Sequence, residues 1–280
     1  MNKISKPVIE ILHKIGIAFF VLIAGFPFYW MLIASFRHMQ EVLTDPGRIW
    51  VTLSEISFSA YYEVLFEHNF IYYITNSLYV STITVFLTIS LAVLGAYAAT
   101  RFVFRGKNVI TKGILLIYMF PSIVLVIPLY VIFSRLGIRN SLNGLIIVYL
   151  AQTLPVSIYM LQSYFKSIPA SIEEQGMIDG CNRLQVITKI TLPLSLPAIS
   201  TVALYAFMIA WNEFLFAYMF LDDVSQFTLT RGVVQVARSI HLSQQLTMAG
   251  AVITSIPIIL LFLLAERYIT EGLTTGGVKE

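Results

Sequence analysis

Six uncharged stretches, at residues 15–36, 69–100, 113–134, 140–165, 190–212 and 239–265, are each long enough to cross the hydrocarbon of a bilayer, which takes about 20 apolar residues. Inside hydrocarbon every backbone N–H and C=O must find its partner within the protein, so only helices and closed barrels span it. A barrel needs short strands of alternating polarity, whereas these runs are continuous Leu, Ile, Val and Phe. The expectation is an all-α integral membrane protein with six transmembrane helices, near 15–36, 74–100, 113–134, 142–164, 196–221 and 247–265. The composition agrees. Charged residues are 12% of the chain, against about 25% in soluble domains.

The basic residues set the orientation. Lys3, Lys6 and Lys14, then Arg101, Arg105, Lys107 and Lys112, then Lys166, Arg183 and Lys189, then Arg267 and Lys279 fall on one side of the six spans. Arg37, Arg48, Arg135, Arg139, Arg231 and Arg238 fall on the other. Positive charge stays inside, which makes both termini cytoplasmic. The layout is then a cytoplasmic N-terminus 1–14, a six-helix transmembrane domain 15–265 and a cytoplasmic tail 266–280. The formal net charge of +3 reflects this topology and does not indicate nucleic acid. The first apolar stretch is too long for a cleavable signal peptide. Cys181 is the one cysteine, which excludes an intrachain disulfide and a cysteine-based metal site. His13, His38, His68 and His241 are too scattered for a metal site. The outer segment 37–68, with Tyr61, Tyr62 and Phe66 and the nearby Phe70, reads as short helices at the membrane surface. Aromatic anchoring is its commoner role, and docking of an extracytoplasmic partner is the alternative.

One polar segment departs from the membrane pattern. The cytoplasmic loop 166–195 is far longer than a helix hairpin requires. Pro169 suits the first turn of a short helix, and Glu173 and Glu174 place negative charge near its positive end. Gly180 supplies a left-handed terminus. Asn182 then caps a second helix, with Gln185 three residues on completing a capping box. Leu184, Ile187 and Ile190 would form one apolar stripe, and Pro193 would end the helix. A short helix presented in this way can seat in a groove of a soluble partner. An amphipathic loop resting on the membrane explains the same residues, and physical argument alone leaves both open.

The residue spacing carries a resemblance. Glu174-Gln175-Gly176-x-x-Asp179-Gly180, followed after nine residues by Ile190-x-Leu192-Pro193, resembles the EAA motif of ATP-binding-cassette importer permeases. Gln175 and Gly176 stand where that motif has alanines, and Cys181 where a third is usual, which bears on local packing more than on docking. Asn76-Ser77-Leu78, Ala96-Tyr97-Ala98-x-x-Arg101, Trp211-Asn212-Glu213-Phe214 and the tail from Arg267-Tyr268 to Gly276-Gly277-Val278-Lys279 are similar to the MalG-like branch that serves carbohydrates. The resemblance implies a type I importer fold and a multi-pass place in a prokaryotic plasma (inner) membrane. It implies a second permease subunit, two ATPase subunits, an extracytoplasmic solute-binding protein and a sugar substrate. Glu173, Glu174, Gln175, Gly176, Asp179, Gly180, Arg183, Ile190, Leu192 and Pro193 would form the ATPase-coupling loop, and Gly276, Gly277 and Lys279 would reach the ATPase dimer.

No phosphate-cradling glycine loop is present, so ATP and Mg are expected on partner subunits, with no cofactor and no catalytic group in this chain. Within the spans, Glu213 is the one acid, and intramembrane charge is functional by default. Trp211, Asn212 and Glu213, with Gln152 and Asn76 as weaker candidates, are therefore expected along the translocation path. A buried hydrogen bond between helices is the competing role. A permease for a non-sugar solute, or an ion-driven secondary transporter, would also fit a helical membrane chain. The second predicts more intramembrane ionisable groups and an inverted repeat.

Overall fold

The apolar runs leave the backbone no partners but its own, and the computed structural model is helical accordingly. It describes residues 6–45, 47–238 and 244–275. The order is α1 (Lys6–Phe36), α2 (Met39–Thr44), α3 (Ser59–Tyr62), a π turn Glu63–Glu67, α4 (Phe70–Arg101), α5 (Lys107–Tyr118), α6 (Ser122–Arg135) and α7 (Leu142–Ser167). There follow α8 (Ala170–Ile178), α9 (Arg183–Val186), a π turn Ile187–Thr191, α10 (Leu192–Leu194), α11 (Leu196–Asn212), α12 (Leu215–Phe220), a 3-10 turn Val224–Gln226, α13 (Leu229–Arg238) and α14 (Gln244–Thr275). Among the described residues there is no strand.

Among the described residues, four helices are long and apolar enough to cross a membrane: Glu10–Phe36, Phe70–Arg101, Leu142–Ser167 and Gln244–Glu266. A fifth exists if the bent pair Arg183–Leu194 and Leu196–Asn212 is one span. The expected single helix 113–134 is two pieces, α5 and α6. Pro121 has no N–H to give and disfavours helical backbone at Phe120, so the chain turns at 119–121. The expected span 196–221 is likewise divided at Glu213, whose backbone is extended (φ −65°, ψ 126°). Pro193 does not end its helix. It lies inside α10, and the axis turns by 83° only at Ser195. The charge-free runs also understate helix length, because Lys and Glu continue a helix readily. Thus α1 begins within the expected N-terminal segment, and α14 extends into the expected tail.

The chain divides into two compact units. In the first, 1–70 with 233–255, the outer segment forms the expected short helices. Phe36 packs on Phe58 and Tyr61 with ring centroids 5.2 and 5.4 Å apart. Arg37, 1% exposed, donates to the carbonyls of Glu41 and Asp45 at 2.8 Å, closing the C-terminal end of α2.

The second unit, 71–232 with 256–280, holds the loop. Helix α7 packs against α5, α11 and α12. It meets α4 through a buried Thr88–Thr153 hydroxyl hydrogen bond of 2.7 Å. A Cβ at Gly95 would stand 3.3 Å from Ile158 Cδ1, so glycine lets the two helices approach. One core cluster joins Ala92, Val93, Ala96 and Tyr97 of α4 to Leu161 and Phe165 of α7, Ile187 of the loop and Val202 of α11.

Candidate functional site

The loop between α7 and α11 folds by local rules. Helix α8 ends in a Schellman turn: Cys181 N–H donates to Gly176 O at 3.0 Å and Gly180 N–H to Met177 O at 3.1 Å. Both bonds need a left-handed residue at the turn, and Gly180 has φ +90°. Asn182 and Gln185 then form the reciprocal capping box, at 2.8 and 2.9 Å, an arrangement worth about 1 kcal/mol. Pro169 serves as the residue just before α8, one position earlier than expected.

The two short helices pack where the motif departs from alanine. Gly176 is buried, and a Cβ there would stand 2.3 Å from Ile190 Cδ1 and 3.9 Å from Val186 Cγ2. Ile190 thus fills the volume of the missing methyl. Gly176→Ala should cost about 1 kcal/mol, the low end for overpacking, because the far methyl of Ile190 can rotate. Ile190→Val removes that methyl and should restore the melting temperature of the Gly176→Ala chain in a thermal-shift measurement.

The expected apolar stripe is not one face. The π turn Ile187–Thr191 carries an extra residue per turn, so register is lost between Leu184 and Ile190. Val186 and Ile187 take the buried side, Ile190 and Leu192 are half-buried, and Leu184 is 63% exposed. Ile178, at the end of α8, is 85% exposed. Around these two apolar side chains stand the exposed Glu174, Gln175, Asp179, Gly180 and Arg183. Pro193 is exposed as well. Among the described residues, Glu174 and Asp179 carry no ion pair or side-chain hydrogen bond. The outer surface of the loop therefore offers the Glu174 and Asp179 carboxylates, the Arg183 guanidinium and the apolar side chains of Ile178 and Leu184 to solvent.

Glu173 points the other way. It is 2% exposed and accepts four hydrogen bonds from three residues on two elements, α4 and the π turn Ile187–Thr191. Arg101 grips it with Nη2 on Oε1 at 2.9 Å and Nε on Oε2 at 3.0 Å. Tyr97 Oη donates to Oε2 at 3.2 Å, and Thr191 Oγ1 to Oε1 at 3.1 Å. Arg101 Nη2 also donates to Ile168 O at 2.9 Å. Nearby, the Arg183 guanidinium stands 5.6 Å from the Phe102 ring centroid. The loop is thus fastened to the end of α4, which is not one of its covalent neighbours. Tyr97 and Arg101 lie four residues apart, on one helix face; that spacing was the only signal in the sequence that they act together. A carboxylate 72 positions away has no such signal.

The expected path residues separate. Gln152 lines a cavity of about 190 Å³ with Tyr118, Phe120, Tyr205, Ile209 and Phe216. Trp211 is 1% exposed and stacks on Phe207 at 5.3 Å. Asn212 is exposed, its amide bonded to Met208 O at 2.9 Å. Glu213 closes the break between α11 and α12: its carboxylate accepts from Phe216 N–H at 2.9 Å, Ala217 N–H at 3.2 Å and Tyr149 Oη at 2.9 Å. Negative charge at a helix N-terminus is favourable, so the acid is satisfied without a counter-ion. Asn76 donates to Ser225 O at 2.8 Å and Phe227 O at 3.0 Å, away from the cavity. Gly276, Gly277 and Lys279 lie outside the described residues.

Residues 91–274 match the family described as binding-protein-dependent transport system inner membrane component. The chain is 40% identical over 267 residues, 94% of either chain, to the inner membrane ABC transporter permease protein YcjP of Escherichia coli strain K12. It is 36% identical over 274 residues, 96% of this chain and 97% of the relative, to the trehalose/maltose transport system permease protein MalG of Thermococcus litoralis. The arabinooligosaccharides transport system permease protein AraQ of Halalkalibacterium halodurans is 28% identical over the full length of both. Among solved structures, a chain of a bacterial ABC transporter involved in the import of alginate superposes with a TM-score of 0.82. That match covers 96% of this chain and 99% of the other at 24% identity, and it shows a shared fold.

Proposed function

The chain belongs to the family of binding-protein-dependent transport system inner membrane components, and from that premise we propose that it is a transmembrane permease subunit of an ATP-driven carbohydrate importer. The names of its relatives, which transport trehalose/maltose and arabinooligosaccharides, support a sugar or oligosaccharide cargo. A non-sugar solute of the same importer class is the alternative. Both termini and the loop between α7 and α11 face the cytoplasm of a prokaryotic cell, with the spans in its plasma membrane. Two soluble ATPase subunits bind ATP and Mg, a second permease completes the pore, and an extracytoplasmic binding protein delivers the cargo. As the ATPases close, they draw the docked loop with them, and the helices rearrange between inward-open and outward-open states. Nucleotide occupancy and gate position then share one coupling free energy, which acts in both directions.

The observation that carries this reading is the outward face of the loop, where Ile178 and Leu184 stand exposed beside Glu174 and Asp179. The cavity at Gln152, Tyr118, Phe120 and Tyr205 is lined by residues of α5, α6, α7, α11 and α12, and aromatic faces with one amide suit a sugar's ring and hydroxyls. We assign it to the cargo path. Trp211, Asn212 and Glu213 then shape the wall beside it, with Glu213 fixing the break that lets α12 turn.

The test is purification of the tagged chain from cells that also express its native neighbours. An ATPase subunit and a second permease should copurify. Replacing 166–193 by a flexible linker should lose the ATPase and retain the permease. Retention of the ATPase by the linker variant would refute the docking role.

A further inference from the structure

Helix α4 is tied at both ends to segments far away in sequence. At one end, Arg101 and Tyr97 hold Glu173 of the coupling loop. At the other, Asn76 Nδ2 donates to Ser225 O and Phe227 O, and Ser77 Oγ accepts from Leu229 N–H at 2.7 Å in a buried site. The two attachments are separated by 25 residues of continuous helix, about 38 Å at 1.5 Å per residue.

What lies between them is a single continuous helix. Helix α4 runs 32 residues without a proline or a break. Other helices of the unit carry a proline or a bend: α7 contains Pro155, α6 contains Pro128, and α11 begins after an 83° bend and ends at the extended Glu213. Kinks and breaks absorb displacement locally; an unbroken helix passes it to its far end. The end contacts match this role, because charged and amide groups hydrogen-bonded to backbone carbonyls fix position as well as distance.

We propose, on the permease reading above, that α4 is a strut that carries displacement of the coupling loop across the membrane to the outer segment 222–229. Arg101 and Asn76 are its positioning residues. Asn76 thereby leaves the cargo path and joins the transmission path. The covalent connections of the loop, to α7 and α11, would move the gate, while α4 would report the ATPase state to the surface where an extracytoplasmic partner arrives.

The experiment uses the complex copurified through a tag on this chain, reconstituted in proteoliposomes. Cys181 is replaced by Ser, and Ser225→Cys places one thiol on the exposed outer segment; Asn76 binds the backbone of Ser225, so this substitution spares the bond. Labelling by a membrane-impermeant maleimide is timed with and without ATP, Mg and vanadate trapped on the partner ATPases. Trapping should change the labelling rate by about fivefold or more, the low end of typical coupling. Arg101→Lys, which keeps the charge and loses the fork, should abolish the change, and so should Asn76→Ala. Should Arg101→Lys prevent recovery of the complex, Tyr97→Phe, which deletes one hydroxyl, must diminish the response instead. A full response in either end variant, or none in the parent complex with ATPase present, overturns the strut. If no ATPase copurifies with the parent, the permease reading fails and the strut fails with it.

Discussion

Arg101→Ala should release the coupling loop from α4 while leaving the membrane helices inserted. The guanidinium is 12% exposed and the Glu173 carboxylate 3%. Removing one partner of such a pair leaves the other charge buried and unpaired, at about 3–5 kcal/mol. That is about two to three and a half orders of magnitude in a local opening equilibrium, at about 1.4 kcal/mol for each tenfold. Hydrogen–deuterium exchange of the purified chain reads it directly: amides of α8, α9 and the π turn Ile187–Thr191 should exchange faster by about that factor. Amides of α7 should change little. The double variant Arg101→Met/Glu173→Met should recover much of the protection, since apolar replacement of both partners removes the unpaired charge. Equal exchange in parent and Arg101→Ala would mean that the pair does not hold the loop.

Gly180→Pro should stop transport altogether, by a different route. The ring forces φ to about −65°, where the fold requires +90°. It also removes the N–H that Gly180 gives to Met177 O. The Schellman turn then fails, and with it the angle that brings Val186 and Ile190 onto Gly176. A graded series separates this backbone effect from crowding. Nothing lies within 4 Å of a Cβ built at Gly180, so Gly180→Ala meets only the left-handed penalty, about 1–2 kcal/mol. Gly180→Asn, which tolerates that region better, should cost less. Cargo-stimulated ATP hydrolysis by the reconstituted complex should fall in the order Gly, Asn, Ala, Pro, with the proline variant inactive yet present in the membrane fraction. Wild-type stimulation in the proline variant would exclude a coupling role for this turn.

What could be read from the sequence, and what could not, follows the range of the interactions. The capping box at Asn182 and Gln185 and the left-handed Gly180 are decided within a few residues, and both stand as expected. The all-helical membrane character follows from run length alone. Pro121 marks a position where a helix can kink, since it has no N–H to give, but run length alone does not turn that into the break at 119–121, and hydropathy does not sense that the Glu213 carboxylate caps the next helix at 213–214. Glu213 was singled out as a buried charge, but its three donors come from α12 and from Tyr149, 64 residues away. Of two adjacent glutamates, sequence gave no means to tell that Glu173 turns inward and Glu174 outward. The helical period does place neighbours about 100° apart, but only the position of Arg101 decides which face is which. The π turn at Ile187–Thr191 shows the same limit, since it redirects Leu184 to solvent without any sequence signature.

If the exposed surface of the loop seats on an ATPase, as proposed, the identity of whatever touches Ile178 reveals it. A photo-crosslinking side chain at that position, in the tagged chain expressed with its native neighbours, should yield one covalent adduct containing a soluble ATPase subunit. The adduct should disappear in the Gly180→Pro background. Adducts with lipid alone, with the ATPase subunit present but unlabelled, would contradict the account.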